Sequence, residues 1–139
     1  MKQLTWFDRK FNFDIDPNIL PSIIERLIGT PLRLTFKAKY IPIEIQSHRI
    51  NDSWSIKENI GHLSDLEHLW QGRLEDILEE KKILRPWDFE NNRTTRAGHN
   101  EHQIEVLIDD FEHLRGRTIN LLNNVQSSGL GVNLDVAIW

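Results

Sequence analysis

Chemistry in this chain is most readily built on histidine, because its 139 residues include six histidines and no cysteine. The missing cysteine excludes disulfides, thiolate metal sites and cysteine nucleophiles. His62 stands out by position. It follows Glu58 by one helical turn and precedes Leu66 by another, at the edge of an apolar stripe, so its imidazole is expected to face the seam between two helices. A lone histidine there is more often a hydrogen-bonded core residue than a ligand. His99 and His102 form a His-x-x-His pair, a usable ligand spacing at a helix start because residues three apart share a face. The bland alternative is that they cap or solvate a helix N-terminus. His48, His68 and His113 read as surface or structural positions.

Other constellations carry less. Asp65 and Glu67, two apart, diverge on a helix and make no acid/base pair. Asp109 and Asp110 read as a solvated face, and Trp70 and Trp87 as core and loop packing rather than a ligand cage. The seven glycines are dispersed, with no phosphate-binding loop. Net charge is −4 with scattered basic residues, which argues against nucleic acid as a partner. No stretch approaches the roughly 18 apolar residues of a membrane span, and the N-terminus lacks a signal-peptide core. A cytoplasmic, single-domain protein is expected.

The element carrying His62 is the best marked. Ser55 and Glu58, three apart, announce a capping box. Ile56, Ile60, Leu63, Leu66, Trp70, Leu74, Ile77 and Leu78 then recur at helical steps, predicting a helix over 55–80. Before it, residues 1–16 read as an aromatic arm carrying Trp6, Phe7, Phe11 and Phe13. Residues 17–40 read as a first helix, bent or divided at Gly29-Thr30-Pro31. Ile43 to Ser53 is a connection with extended character. Residues 81–98 form a long connection without helical period, and residues 100–124 form a third helix on Ile104, Leu107, Ile108, Phe111, Leu114, Thr118, Leu121, Leu122 and Val125. A connection that long permits either a parallel or an antiparallel return.

The run Trp54-Ser55-x-Lys57-Glu58-x-x-Gly61-His62-Leu63-x-Asp65-x-Glu67 resembles the second helix of the DinB/YfiT-like family of bacterial metalloenzymes. The likeness continues through Lys82 to Pro86, Asn92 to Asn100 and the following helix, and so spans most of the chain. It implies an all-α, up-down-down-up four-helix bundle with an overhand crossover between helices two and three. His99 and His102 would then lie at the same end as His62. Family members resembling this chain carry a fourth helix with a His-x-x-x-His pair that completes a three-histidine site for a divalent metal. Here residues 126–139 form a short tail with two glycines, and no histidine follows His113. The bundle is therefore expected to lack its fourth helix, or to have it truncated, and the metal site to be incomplete.

Two functions follow from the resemblance. One is a metal-dependent enzyme, a transferase or isomerase acting on a small-molecule substrate with a low-molecular-weight thiol. His62 would be a nickel or zinc ligand, with His99 or His102 as further ligands, and Glu58 or Asp65 would orient it. The stress-inducible naming of the family specifies no reaction. The alternative is a non-catalytic helical dimerisation or binding module. Either way, apolar stripes left without a fourth helix predict a homodimer, with the tail packed on this chain or its mate.

Overall fold

The computed structural model describes residue 10 and residues 17–127; the aromatic arm and the tail fall outside the described residues. All the regular structure among the described residues is helical, with no strand. A 3₁₀ turn at Pro17–Ile19 leads into α1 (Leu20–Ala38). α2 (Ile43–Gln46) is a single turn, α3 (Ile56–Leu78) the His62 helix, α4 (Asn92–Arg96) a short segment in the crossover, and α5 (Ile104–Ser127) the last. No described helix is long and apolar enough to cross a membrane.

α1 is one helix, not two, and Pro31 lies buried inside it. Proline removes one backbone donor there, and side chains knit the adjacent turn. Thr30 Oγ1 and the Arg33 guanidinium both donate to the carbonyl of Arg26, at 2.8 and 2.9 Å. The connection from Ile43 to Ser53 is not extended at its start, because Pro42 opens α2 and the Gln46 amide donates back to Ile41 O at 3.2 Å.

α3 and α5 are parallel, since their contacts advance in step. Ser55 meets Asn100 near both N-termini, Glu67 meets Arg115 and Thr118, and Gln71 meets Leu114 and Thr118 further along. The long crossover thus returns the chain to the end from which α3 began. There Ala38, Ile60, Ile104, Leu107 and Ile108 form one buried cluster, joined by Leu34, Ile41 and Ile56. The end of α1 therefore packs beside the starts of α3 and α5. Phe111 is fully buried, worth about 1.5–3 kcal/mol of stability on transfer from water.

The α3–α5 interface is more polar than the stripe on α3 suggests. Glu67 and Gln71 are buried beside Ile60 and Leu74, whereas Leu63, Leu66, Trp70 and Ile77 are only half-buried. Glu67 accepts from Arg115 Nε at 2.8 Å and from Thr118 Oγ1 at 2.5 Å, and Gln71 donates to Leu114 O at 2.9 Å. Such directional pairs fix the register of two helices whose apolar contacts alone could slide.

Candidate functional site

The start of α3 is locked before any chemistry is placed on it. Ser55 Oγ accepts from the Glu58 backbone N–H at 3.1 Å, and the Glu58 carboxylate accepts from the Ser55 N–H at 2.9 Å, completing the capping box. Ser55 Oγ also donates to Asn100 Oδ1 at 2.6 Å, tying this end to the segment before α5. Glu58 pairs in addition with the Arg49 guanidinium, whose Nε lies 2.8 Å away. Arg49 first, and the Ser55 donors beside it, hold the Glu58 carboxyl down at about 2 against the opposing cost of burial. The contacts of Glu58 are thus to the cap and to Arg49, and His62 is oriented by other groups.

Those groups come from the crossover. Asn91 adopts a left-handed conformation (φ 53°), and Asp88 accepts from the Arg93 backbone N–H at 2.8 Å. The turn so formed starts α4 and delivers buried Thr94 to α3. Thr94 Oγ1 donates to Asp65 Oδ2 at 2.8 Å, and His62 Nδ1 lies 2.8 Å from the same Oγ1. A threonine hydroxyl has one proton. With that proton given to the carboxylate, Oγ1 can only accept from His62, which assigns the imidazole the Nδ1–H tautomer and leaves a lone pair on Nε2. Burial is the main effect pushing the His62 pKa below its ordinary value; His99 adds to it and Asp65 opposes it. His62 is half-buried, with its ring 4.8 Å from that of Trp54.

His99 completes the network. It begins a 3₁₀ turn (His99–Glu101) after Gly98, whose φ of 66° favours glycine. Its Nε2 lies 2.9 Å from Asp65 Oδ2, and its ring rests on the α3 backbone at Gly61, where a Cβ would stand 2.3 Å from the ring. Arg93 Nε donates to Asp65 Oδ1 at 3.2 Å. Both Asp65 oxygens are therefore engaged, and one carboxylate organises residues from α3, α4 and the turn before α5.

Beside this network lies a cleft of about 910 Å³ lined by His62, Asp65, Leu66, His68, Leu69, Trp70, Arg73, Pro86, Trp87, Asp88, Phe89, Asn91, Arg93 and Thr94. Its outer wall, Pro86 to Phe89, is anchored to α3 by an ion pair. Buried Asp76 accepts from the Arg85 backbone N–H and from its Nε and a terminal guanidinium nitrogen, each at 2.8 Å, and from Lys81 at 2.9 Å. Arg85 first, then Lys81, holds the Asp76 carboxyl far below the usual carboxylate range. The Arg85 guanidinium lies on Gly72, where a Cβ would approach it to 1.9 Å. Trp87 and Phe89 meet edge to face at 5.2 Å.

His62 and His99 are thus brought together through Asp65, and His102 is not part of the group. The turn at His99–Glu101 delays α5 to Ile104, leaving His102 extended and exposed, so the His-x-x-His spacing does not lie on a helix. Among the described residues no group of three or more His, Cys, Asp or Glu is arranged to hold a metal ion. The donor chemistry agrees: both Asp65 oxygens already accept from Thr94, His99 and Arg93, and the Glu58 carboxylate accepts from Arg49 and the cap. These residues do not fit a complete divalent-metal centre. His48, His68 and His113 are exposed, as their spacing suggests, although His68 borders the cleft.

Thr94, Arg93, Arg73 and Phe89 carry no such signal in the sequence. Five helical residues are too few for a period, and the crossover's only hints were its paired threonines and aromatics. The sequence model of the family described as the DinB superfamily matches residues 38–135, more than half of the chain. No curated protein and no solved structure matches it.

Proposed function

The chain belongs to the DinB superfamily, and on that premise we propose that it is a small-molecule-binding helical domain whose reactive group is the neutral imidazole of His62. The observation that carries this reading is the hydrogen-bond order Asp65–Thr94–His62, which leaves the Nε2 lone pair available at the cleft. A neutral imidazole of lowered pKa accepts a hydrogen bond, or a proton, from a bound donor at neutral pH. A low-molecular-weight thiol is one donor that suits it: Nε2 takes the S–H proton, leaving a thiolate, and Asp65 stabilises the resulting imidazolium through Thr94. A nickel or zinc ion would find one uncommitted imidazole nitrogen on His62 where three protein ligands are usual, so this reading expects metal to be held weakly.

Metal content and His62 tautomer of the purified full chain test the proposal. Nickel and zinc are expected well below one per chain and unchanged in His62→Ala. Histidine ¹⁵N shifts should report Nδ1–H at neutral pH, and Thr94→Val should abolish that preference. Stoichiometric nickel or zinc that disappears with His62 would overturn the reading in favour of a metal-dependent enzyme.

A second reading has an observation of its own. Ile28, Leu32 and Phe36 of α1 and Tyr40 just past its end are exposed at four-residue steps, a face suited to a homodimer. On this reading the chain is a non-catalytic dimerisation module, and its association state is the discriminating measurement.

A further inference from the structure

Arg73 is a half-buried cation in an aromatic cleft, and no carboxylate lies within ion-pairing distance of it among the described residues. Every other charged group lining the cleft is engaged. Asp65 takes Arg93, Thr94 and His99; Asp88 takes Asn92 and the Arg93 backbone. Arg73 donates from Nε to Arg85 O at 3.3 Å, and its guanidinium carbon sits 5.7 Å from the centroid of the Trp70 ring. Those contacts fix the side chain but leave its charge uncompensated, and its terminal N–H groups form a fork that suits a carboxylate. Trp70, Trp87 and Phe89 supply flat apolar walls, which favour a planar ring over a flexible chain.

Resting on the cleft reading above, we propose that the natural ligand is an aromatic anion, a planar ring bearing a carboxylate. The ring lies against Trp70, Trp87 and Phe89, and the carboxylate pairs with Arg73. Arg85, held by Asp76 and seated on Gly72, fixes both the Arg73 acceptor and the start of the aromatic wall, so the site is built before the ligand arrives.

Three probes of one shape and different charge test this on the full chain: 2-naphthoate, 2-naphthalenemethanol and 2-naphthylmethylammonium, each titrated while the indole N–H signals of Trp70 and Trp87 are followed by NMR. Naphthoate is expected to bind about tenfold more tightly than the alcohol, the gain of one charge-assisted pair, and the ammonium most weakly. Arg73→Gln should erase the preference for the anion while leaving the alcohol's affinity unchanged, and Arg73→Lys should restore part of it. Trp87→Ala should weaken all three. Equal affinity for naphthoate and alcohol, or an anion preference that survives Arg73→Gln, would overturn the ligand class while leaving the cleft reading intact. Failure of all three probes to shift either indole would overturn both.

Discussion

His62 is a residue on which two electrostatic effects compete. Burial disfavours its charged form and Asp65 favours it, and burial wins, so the folded chain holds this imidazole neutral to a lower pH than the unfolded chain does. Between its folded pKa and the ordinary value near 6.5 the unfolded state binds the extra proton. Stability contributed by this burial is therefore present above about pH 6.5 and is lost as pH falls through the folded value. His68, exposed but partly desolvated at the rim of the cleft, is lowered too, chiefly by that desolvation and then by Arg93, and acts in the same direction, so residue-resolved ¹H–¹⁵N titration rather than thermal melting is the measurement that isolates His62. It should titrate below a histidine in a denatured control, and Asp65→Asn should lower it further by removing the charge that favours the imidazolium. Gly61 makes a second prediction at this scale. Alanine is favoured over glycine in a helix by about 1 kcal/mol, yet a Cβ here would lie 2.3 Å from the His99 ring. Overpacking of that kind costs about 1–3 kcal/mol, so Gly61→Ala should lower stability in chemical denaturation and break the His99–Asp65 contact. His62 stood out in the sequence because it sits on a strongly periodic, well-capped helix, whereas a part for Asp65 beside it was implied only by the family likeness, which named Glu58 as its alternative. Thr94 and Arg73 did not stand out: what makes each important is a neighbour distant in sequence or a partner it lacks, and neither leaves a local pattern.

At the scale of elements, the site depends on how α3 begins. Ser55 is cap, donor to Asn100 and acceptor from Glu58 at once, so Ser55→Ala should cost more than the ~1 kcal/mol of an ordinary N-cap and loosen the segment bearing His99. Urea denaturation, with hydrogen exchange of the turn, measures both. Glu58 gives α3 a pH dependence opposite in origin to acid titration of a free carboxylate. Its folded pKa of about 2 lies below its ordinary value of 4.5, so the Arg49 and cap contacts contribute stability that is complete above about pH 4.5 and is lost as pH falls towards 2. Glu58→Gln should therefore be less stable than the parent at pH 7, with the difference shrinking over that acid range. The capping box was readable from Ser55 and Glu58 alone, because its chemistry is local. α2 and α4 were not, since one turn held by Pro42 or Asp88 has no room for a hydrophobic period. The later start of α5 has a similar cause: the glycine-led turn at His99–Glu101 interrupts a stretch whose polar residues fit a helix equally well.

Across the whole molecule, the parallel course of α3 and α5 makes a site from residues far apart in sequence, since an antiparallel return would have carried His99 to the other end of the bundle. Crossover length alone allowed either course; the direction is set by pairs such as Ser55–Asn100 and Glu67–Arg115, and only the family likeness implied it in advance. The same arrangement leaves α1 packed along α5, with Ile24, Pro31 and Ala38 buried, while Leu32, Phe36 and Tyr40 are 63%, 62% and 73% exposed and Ile28 is 40% exposed. Phe36 and Tyr40 already stack edge to face at 5.3 Å, so this ridge is ordered apolar surface. Ile43 and Ile50, 75% and 70% exposed, are further exposed apolar side chains in the connection between α1 and α3. Exposed apolar patches of this kind mark association surfaces in soluble proteins. Two copies meeting through α1 would bury the ridge against itself in an isologous contact. Sedimentation velocity at micromolar concentration should show a dimer, and Leu32→Glu with Phe36→Glu should yield a monomer by placing like charges at the centre of that contact. Because the ridge and the His62 cleft involve different residues, the double variant should still bind naphthoate; a parent chain that sediments as a monomer would remove the dimerisation reading and leave the cleft untouched.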